Sequence, residues 1–357
     1  MELKNIAILG PGGNVGTAIL DELLQPSSSP PTTITLITRP TSTYSPPTPP
    51  PSISTTLIHK TVDYTSLNSL TTAFSAQDAI VNCITGSATQ YSTSRLILDA
   101  ALAAGVKFFF ANEFVGNIQS KRYERLPEEF VGAKVRMRKE LEELGREGKI
   151  KWTSLNGGPF ADMSSDRWIN PGLMRGPAGF SLPTTHARIY GTGNTPLYWT
   201  PLPTIARAAV YMLRNPAPIT NRAIHICPFV TRRGEPSCIT QRVLLQTLEE
   251  LLGKKFSTEQ VDVEVIWKRA LDVLEKHKQG QPGGEQIALA VKGLAVSNQF
   301  YEEDQGEGGD AFSWLVENEV VGVEVMSVEE AVREAVERYG RDCKVVEGMY
   351  RVEACEG

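Results

Sequence analysis

Close to its amino terminus the chain reads Ile8-Leu9-Gly10-Pro11-Gly12-Gly13-Asn14-Val15-Gly16-Thr17, three glycines at a spacing of three between an apolar run and an amphipathic one. A strand, then G-x-x-G-x-x-G, then a helix aims backbone N–H groups at a pyrophosphate. Gly10 makes the turn, Gly13 lets the backbone approach, and Gly16 lets helix and strand pack closely. Gly12 also supplies the second glycine of the commoner G-x-G-x-x-G spacing. Such a loop carries this meaning only as the first turn of a βαβ alternation, so the rest of the chain must supply one.

It does. Apolar runs at 4–9, 33–38, 57–62, 79–83, 106–111 and 151–155 read as strands, and amphipathic stretches at 15–24, 67–74, 92–104 and 127–144 as helices. Six short strands interleaved with crossovers predict an α/β fold with a doubly wound parallel sheet of the Rossmann type over residues 1–156. Residues 157–357 read as a helix-rich part that binds the substrate, with helices near 239–252, 261–276 and 328–339. Segments 26–33 and 40–56 are dense in Pro, Ser and Thr and are expected to be mobile surface loops, and 279–285 and 302–310 exposed turns.

With 357 residues and 41% hydrophobic content the chain can bury a full core. A net charge of −5 with scattered basic residues argues against a nucleic-acid partner. Apolar runs are strand-sized, and 1–5 lead into the first strand without a basic start, so neither membrane insertion nor secretion is expected. Cys83, Cys227, Cys238, Cys343 and Cys355 form no C-x-x-C pair and the histidines do not cluster; no metal site is expected. The expectation is a cytoplasmic monomer or homodimer.

The cofactor follows from the second strand. No Asp or Glu lies between Glu22 and Asp63 to hold the ribose hydroxyls of NAD, whereas Arg39 ends the strand, where a guanidinium can pair with a 2′-phosphate. NADP(H) is the expected cofactor. Asp63 is placed to meet the adenine edge or to cap the following helix.

No tyrosine has a lysine four positions later, so a Tyr-x-x-x-Lys proton donor is excluded. Instead Phe130, Met137, Leu141 and Leu144 share one helical face with Lys134, while Arg136, Arg138 and Lys139 are read as lying off it. A lysine in an inward seam either snorkels or forms a salt bridge, or its amine is desolvated enough to act as a general acid or base. Among His59, His186, His225 and His277, only His186 is a candidate substrate contact. It shares an irregular region with Trp168, Tyr190, Tyr198 and Trp199, aromatics suited to an apolar ligand.

These motifs resemble the NmrA-like and isoflavone reductase-like branch of atypical short-chain dehydrogenases. The resemblance spans roughly 4–165 and rests on GPGGNVG at 10–16, Arg39, AIVNCITG at 79–86, LILDAALAAGVKFFFANEF at 96–114, FVGAKVRMRKELEE at 130–143 and WTSLNGGPFADM at 152–163. It implies that Asn14 and Val15 border the pyrophosphate and that Cys83, Ile84, Thr85 and Gly86 line the cofactor. It further implies that Asn112, Glu113 and Phe114 form the family's Ser-Glu-Phe turn, and that Asn156, Gly157, Pro159 and Phe160 cover the nicotinamide. Reductase members carry a general acid or base where Lys134 stands. Phe114 and Phe160, with His186, Tyr190 and Trp199, are the expected substrate wall. The turn departs from the plant reductases' Pro-Ser-Glu-Phe-Gly by one extra residue before Gly116. The implied activity is NADPH-dependent reduction of a small, largely apolar or aromatic secondary metabolite. The alternatives are an NADP-binding redox-sensing regulator, and a cyclase or isomerase with no net redox change.

Overall fold

The computed structural model describes residues 1–25, 33–84, 91–127, 131–159, 179–181, 184–280, 284–301 and 312–342. The first half alternates as expected: β1 (Asn5–Leu9), α1 (Asn14–Leu23), β2 (Thr33–Thr38), β3 (Thr56–Thr61), α2 (Leu67–Phe74), β4 (Ala79–Asn82), α3 (Tyr91–Ala103), β5 (Phe108–Phe110), the short α4 (Lys121–Glu124), α5 (Ala133–Arg146) and β6 (Lys151–Asn156). The second half adds β7 (Phe180–Ser181), β8 (His186–Tyr190), α6 (Leu202–Arg214), β9 (Arg222–His225), α7 (Gln241–Leu252), β10 (Ser257–Val261), α8 (Val263–Lys278), α9 (Gly284–Gln299), α10 (Phe312–Leu315), a 3-10 turn at Asn318–Val321, and α11 (Val328–Asp342).

Seven parallel strands form the main sheet in the order β3-β2-β1-β4-β5-β6-β9. Successive residues of the central strands feed opposite cores, because side chains alternate across a strand. Ile6, Ile8, Leu36, Phe108 and Phe110 pack with α1 and α6, whereas Ala7, Leu9, Ile37 and Phe109 pack with α2, α3 and α5. Burial on both faces is why these strands read as unbroken apolar runs. The chain winds outward in both directions from β1 and β4, so the crevice between their carboxyl ends is the switch point where such sheets hold ligands.

A second core surrounds a small sheet, β10-β8-β7, and includes residues of α7, α8, α9 and α11. The expected division at 156/157 is not a clean one. From beyond it, β9 pairs with β6 from Thr153↔Arg222 to Asn156↔His225, and α6 covers α1. The sheet therefore has seven strands where six were expected. Four residues beginning with an exposed arginine are too few to show a period.

Three further expectations change. Helix α5 starts at Ala133 instead of 127, with 128–130 outside the described residues. Helix α9 begins inside the stretch read as a turn. The insertion at 40–56 is docked: Ile53 is 9% exposed within the core, and the ring of Tyr44 lies against Gly12.

Candidate functional site

The glycine loop is shaped by close approach. Gly10 has φ +72°, and a Cβ there would stand 2.8 Å from the carbonyl oxygen of Cys83, which joins the turns after β1 and β4 at the switch point. At Gly16 a Cβ would come within 2.2 Å of the Gly10 carbonyl oxygen, so helix and loop could not pack with any other residue. The Gly13 N–H donates to the Gly10 carbonyl at 3.1 Å, and Thr17 Oγ1 to the Pro11 carbonyl at 2.7 Å. Helix α1 then opens at Asn14 and Val15 with Gly13 as its N-cap and no side chain capping it, which leaves this end suited to an anion. These features fit a bound pyrophosphate.

Arg39 projects into solvent just past β2, beside the buried Tyr64 hydroxyl, which donates to the Ile37 carbonyl at 2.9 Å. Burial raises the Tyr64 phenol, and the Arg39 charge opposes this. Asp63 is exposed and folds back on itself: its Oδ1 accepts from the Thr65 N–H at 2.9 Å and from Thr65 Oγ1 at 2.7 Å, which lowers its carboxyl. Ser66, not Asp63, caps α2. Cys83 is 6% exposed and burial raises its thiol, so it packs and does not react. Ile84 presents its carbonyl to Asn112 Nδ2 at 2.6 Å, tying the turns after β4 and β5 together. Thr85, Gly86, Phe130, Phe160 and Trp168 lie outside the described residues.

Lys134 sits in the first turn of α5, partly buried, and donates to the backbone carbonyl of Glu113. It lines a small pocket with Asn82, Ser94, Asn112, Glu113 and Met137. Burial lowers its ammonium from 10.5 to about 8, against the opposing pull of Glu113. The Glu113 side chain is itself committed. Arg138 Nε donates to its Oε1 at 2.7 Å and Nη2 to its Oε2, with a third bond from Nη2 to Ser154 Oγ at 3.0 Å. Arg138 is 4% exposed, so reading it as off the inward face was wrong: position 138 lies one turn beyond 134 and points the same way.

Phe114 holds a positive φ of 43° and stacks on Phe110 with centroids 5.7 Å apart, so most of its ring belongs to the core. Beyond β6, Gly157 and Gly158 run against the segment before α6. A Cβ on Gly158 would stand 1.7 Å from the Tyr198 carbonyl oxygen, and the Thr200 N–H donates to the Pro159 carbonyl at 3.0 Å. There a narrow cleft is walled by Gly116, Tyr123, Pro159, Tyr198, Trp199 and Phe312.

Of the three expected second-half substrate contacts, only Trp199 lines this cleft. His186 instead meets Ser257 Oγ at 3.0 Å and Glu259 on the small sheet. Tyr190 is 2% exposed and stacks on Phe300 at 4.8 Å. β8 carries both, His186 on the small sheet and Tyr190 in the second core, and neither lines this cleft.

Sequence reasoning missed His225 and Asn298. His225 pairs in register with Asn156, and its ring stands edge-on to Phe312 at 5.5 Å. Burial first, then the Arg138 charge, hold it down to about 3, so it is neutral. Among the described residues, neither His225 Nε2 nor Asn156 Oδ1 has a hydrogen-bond partner. No sequence signal separates either from an ordinary core residue. Among the described residues no group of His, Cys, Asp and Glu could hold a metal, and no helix is long and apolar enough to cross a membrane.

Comparison with known proteins places this geometry among relatives. Residues 10–170 match a family described as NAD(P)H-binding. An oxidoreductase of Aspergillus flavus, aprR, is 23% identical over 328 residues, covering 92% of this chain and 97% of that protein. The leucoanthocyanidin reductase of Vitis vinifera, solved as a binary complex with NADPH, superposes with a TM-score of 0.63 at 16% identity, covering 93% of this chain and 99% of that one. An isoflavone reductase structure gives 0.58 at 18% identity, covering 94% and 99%.

Proposed function

We propose that this chain, whose residues 10–170 match a family described as NAD(P)H-binding, is an NmrA-like, isoflavone reductase-like protein and an NADPH-dependent reductase of a small, largely apolar or aromatic secondary metabolite. The observation that carries the reading is Lys134: an amine tuned to about 8 at the carboxyl edge of the sheet, anchored by a backbone carbonyl and not by a carboxylate. An anchoring carboxylate would raise the amine and hold its proton; a carbonyl orients it and leaves the proton transferable near neutral pH.

When bound, NADPH supplies a hydride. The residues here divide the remaining work. Gly10, Gly12, Gly13 and Gly16 admit the pyrophosphate, with Asn14 and Val15 presenting the first N–H groups of α1. Arg39 selects the 2′-phosphate, and the family relative solved with NADPH supports that choice over NADH. Cys83, Ile84 and Asn112 wall the cofactor groove, Asn156, Gly157 and Pro159 close it on the β6 side, and the aromatic cleft receives the substrate. Lys134 Nζ gives a proton to the oxygen or carbon that becomes electron-rich as the substrate is reduced.

The test is Lys134→Ala assayed with NADPH. The variant is expected to keep cofactor affinity within about threefold while kcat falls by roughly 10²–10⁴. A variant as fast as the parent removes the lysine from the chemistry. A parent that binds NADPH but oxidises none with any aromatic carbonyl or enone substrate favours the regulator.

A further inference from the structure

The last turn of α9 brings Ser297, Asn298 and Gln299 to the cleft region. Ser297 is satisfied within its own helix, with Oγ donating to the Gly293 carbonyl at 2.9 Å. Asn298 is different. It lines the cleft, is only 6% exposed, and its Oδ1 has no hydrogen-bond partner among the described residues. Gln299 Oε1, on the same wall, is unpartnered too. Buried polar atoms in folded proteins are nearly always paired, so an unpaired carboxamide oxygen in the wall of a cleft marks a place where a ligand entering that cleft supplies the partner.

The surroundings say what kind of ligand. Tyr198 and Phe312 stand with ring centroids 4.9 Å apart, and Trp199, 1% exposed, is braced edge-on by Phe300 at 6.4 Å. Rings of this kind suit an aromatic ligand without directing its polar groups. Direction falls to the carboxamide. Being neutral, it recognises an uncharged O–H or N–H and gives no ionic advantage to a cation.

We propose that Asn298 is the specificity-determining residue of this cleft, its Oδ1 accepting a hydrogen bond from a hydroxyl or N–H carried on the ring of an aromatic substrate. The proposal rests on the reading that the cleft takes the substrate. It concerns recognition alone, so its test needs no turnover. Equilibrium dialysis of the full chain in saturating NADPH, with 2-naphthol and its methyl ether 2-methoxynaphthalene as probes, compares two ligands of like shape that differ in one donor.

The parent is expected to hold 2-naphthol at least about tenfold more tightly than the ether, and Asn298→Leu, near in volume, to bring the ratio close to one. Equal affinity in the parent, as an amide turned to donate would give, overturns the proposal. So does a preference that survives Asn298→Leu, or a failure of both probes to bind. The parent measurement stands even if the variant misfolds. The reductase reading fails separately, in the kinetics of Lys134→Ala.

Discussion

Arg138 and Glu113 form a fork-on-carboxylate ion pair at 4% and 3% exposure, and the residue that supplies the carboxylate also supplies the carbonyl that holds Lys134. Removing one partner strands a buried charge. Arg138→Leu or Glu113→Leu alone is expected to cost about 3–5 kcal/mol in urea unfolding, and the double variant much less than the sum. Additive losses in the cycle would mean that the two side chains do not act as a pair.

The lowered Lys134 ammonium sets a pH profile. If the protonated form is the acid in reduction, kcat/KM with NADPH falls as pH rises through about 8, and the reverse reaction rises over the same range. Stability carries the same sign information. The unfolded lysine, at 10.5, holds its proton between pH 8 and 10.5 where the folded one does not, so stability rises with pH across that window. Lys134→Met should therefore raise Tm at pH 7 and lose that advantage near pH 10.5.

Arg39 is exposed, at the end of β2, with no carboxylate nearby in sequence. Arg39→Ala is expected to raise KM for NADPH about 10- to 100-fold, the range for losing a charged hydrogen bond, and to leave KM for NADH unchanged. Steady-state kinetics with both cofactors decide it; a parallel rise would assign the arginine a structural role.

Gly12 and Tyr44 are coupled by contact, since a Cβ at Gly12 would stand 2.9 Å from Tyr44 Cδ2. Gly12→Ala is expected to lower stability by about 1–3 kcal/mol by overpacking, and Tyr44→Ala in the same chain to recover most of it. Thermal unfolding of the parent, both single variants and the double variant measures the recovery.

His225 is neutral when folded and ionises only near 3, against 6.5 when unfolded. The unfolded chain thus binds the extra proton first, and stability drains away as pH falls from about 6.5 to 3, by roughly 4–5 kcal/mol over the whole span. His225→Gln should flatten that part of the curve in acid titrations followed by circular dichroism.

The first six strands and the glycine loop were legible because each rests on local chemistry: apolar runs for strands buried on both faces, glycines where backbone meets backbone. The inward position of Lys134 was legible from helical phase. Arg138 was not, since its burial depends on Glu113 arriving from the turn after β5, a pairing no local pattern encodes. The fate of His186 and Tyr190 was equally hidden: aromatic and imidazole rings read alike whether they line a hollow or brace a sheet. Tyr44 and Ile53 escaped notice for the opposite reason, two anchoring side chains lost in a proline-rich background that otherwise has little to bury.

Because β9 is the last of the main sheet's strands in the chain and covers the edge of β6, ribosomal synthesis must pass residue 225 before that edge can be paired. Until then the free edge of β6 and the inner face of α1 stay open to other nascent chains. Truncation after 156 would make that interval permanent, so the piece bearing the glycine loop should be recovered as inclusion bodies, not as a miniature nucleotide binder.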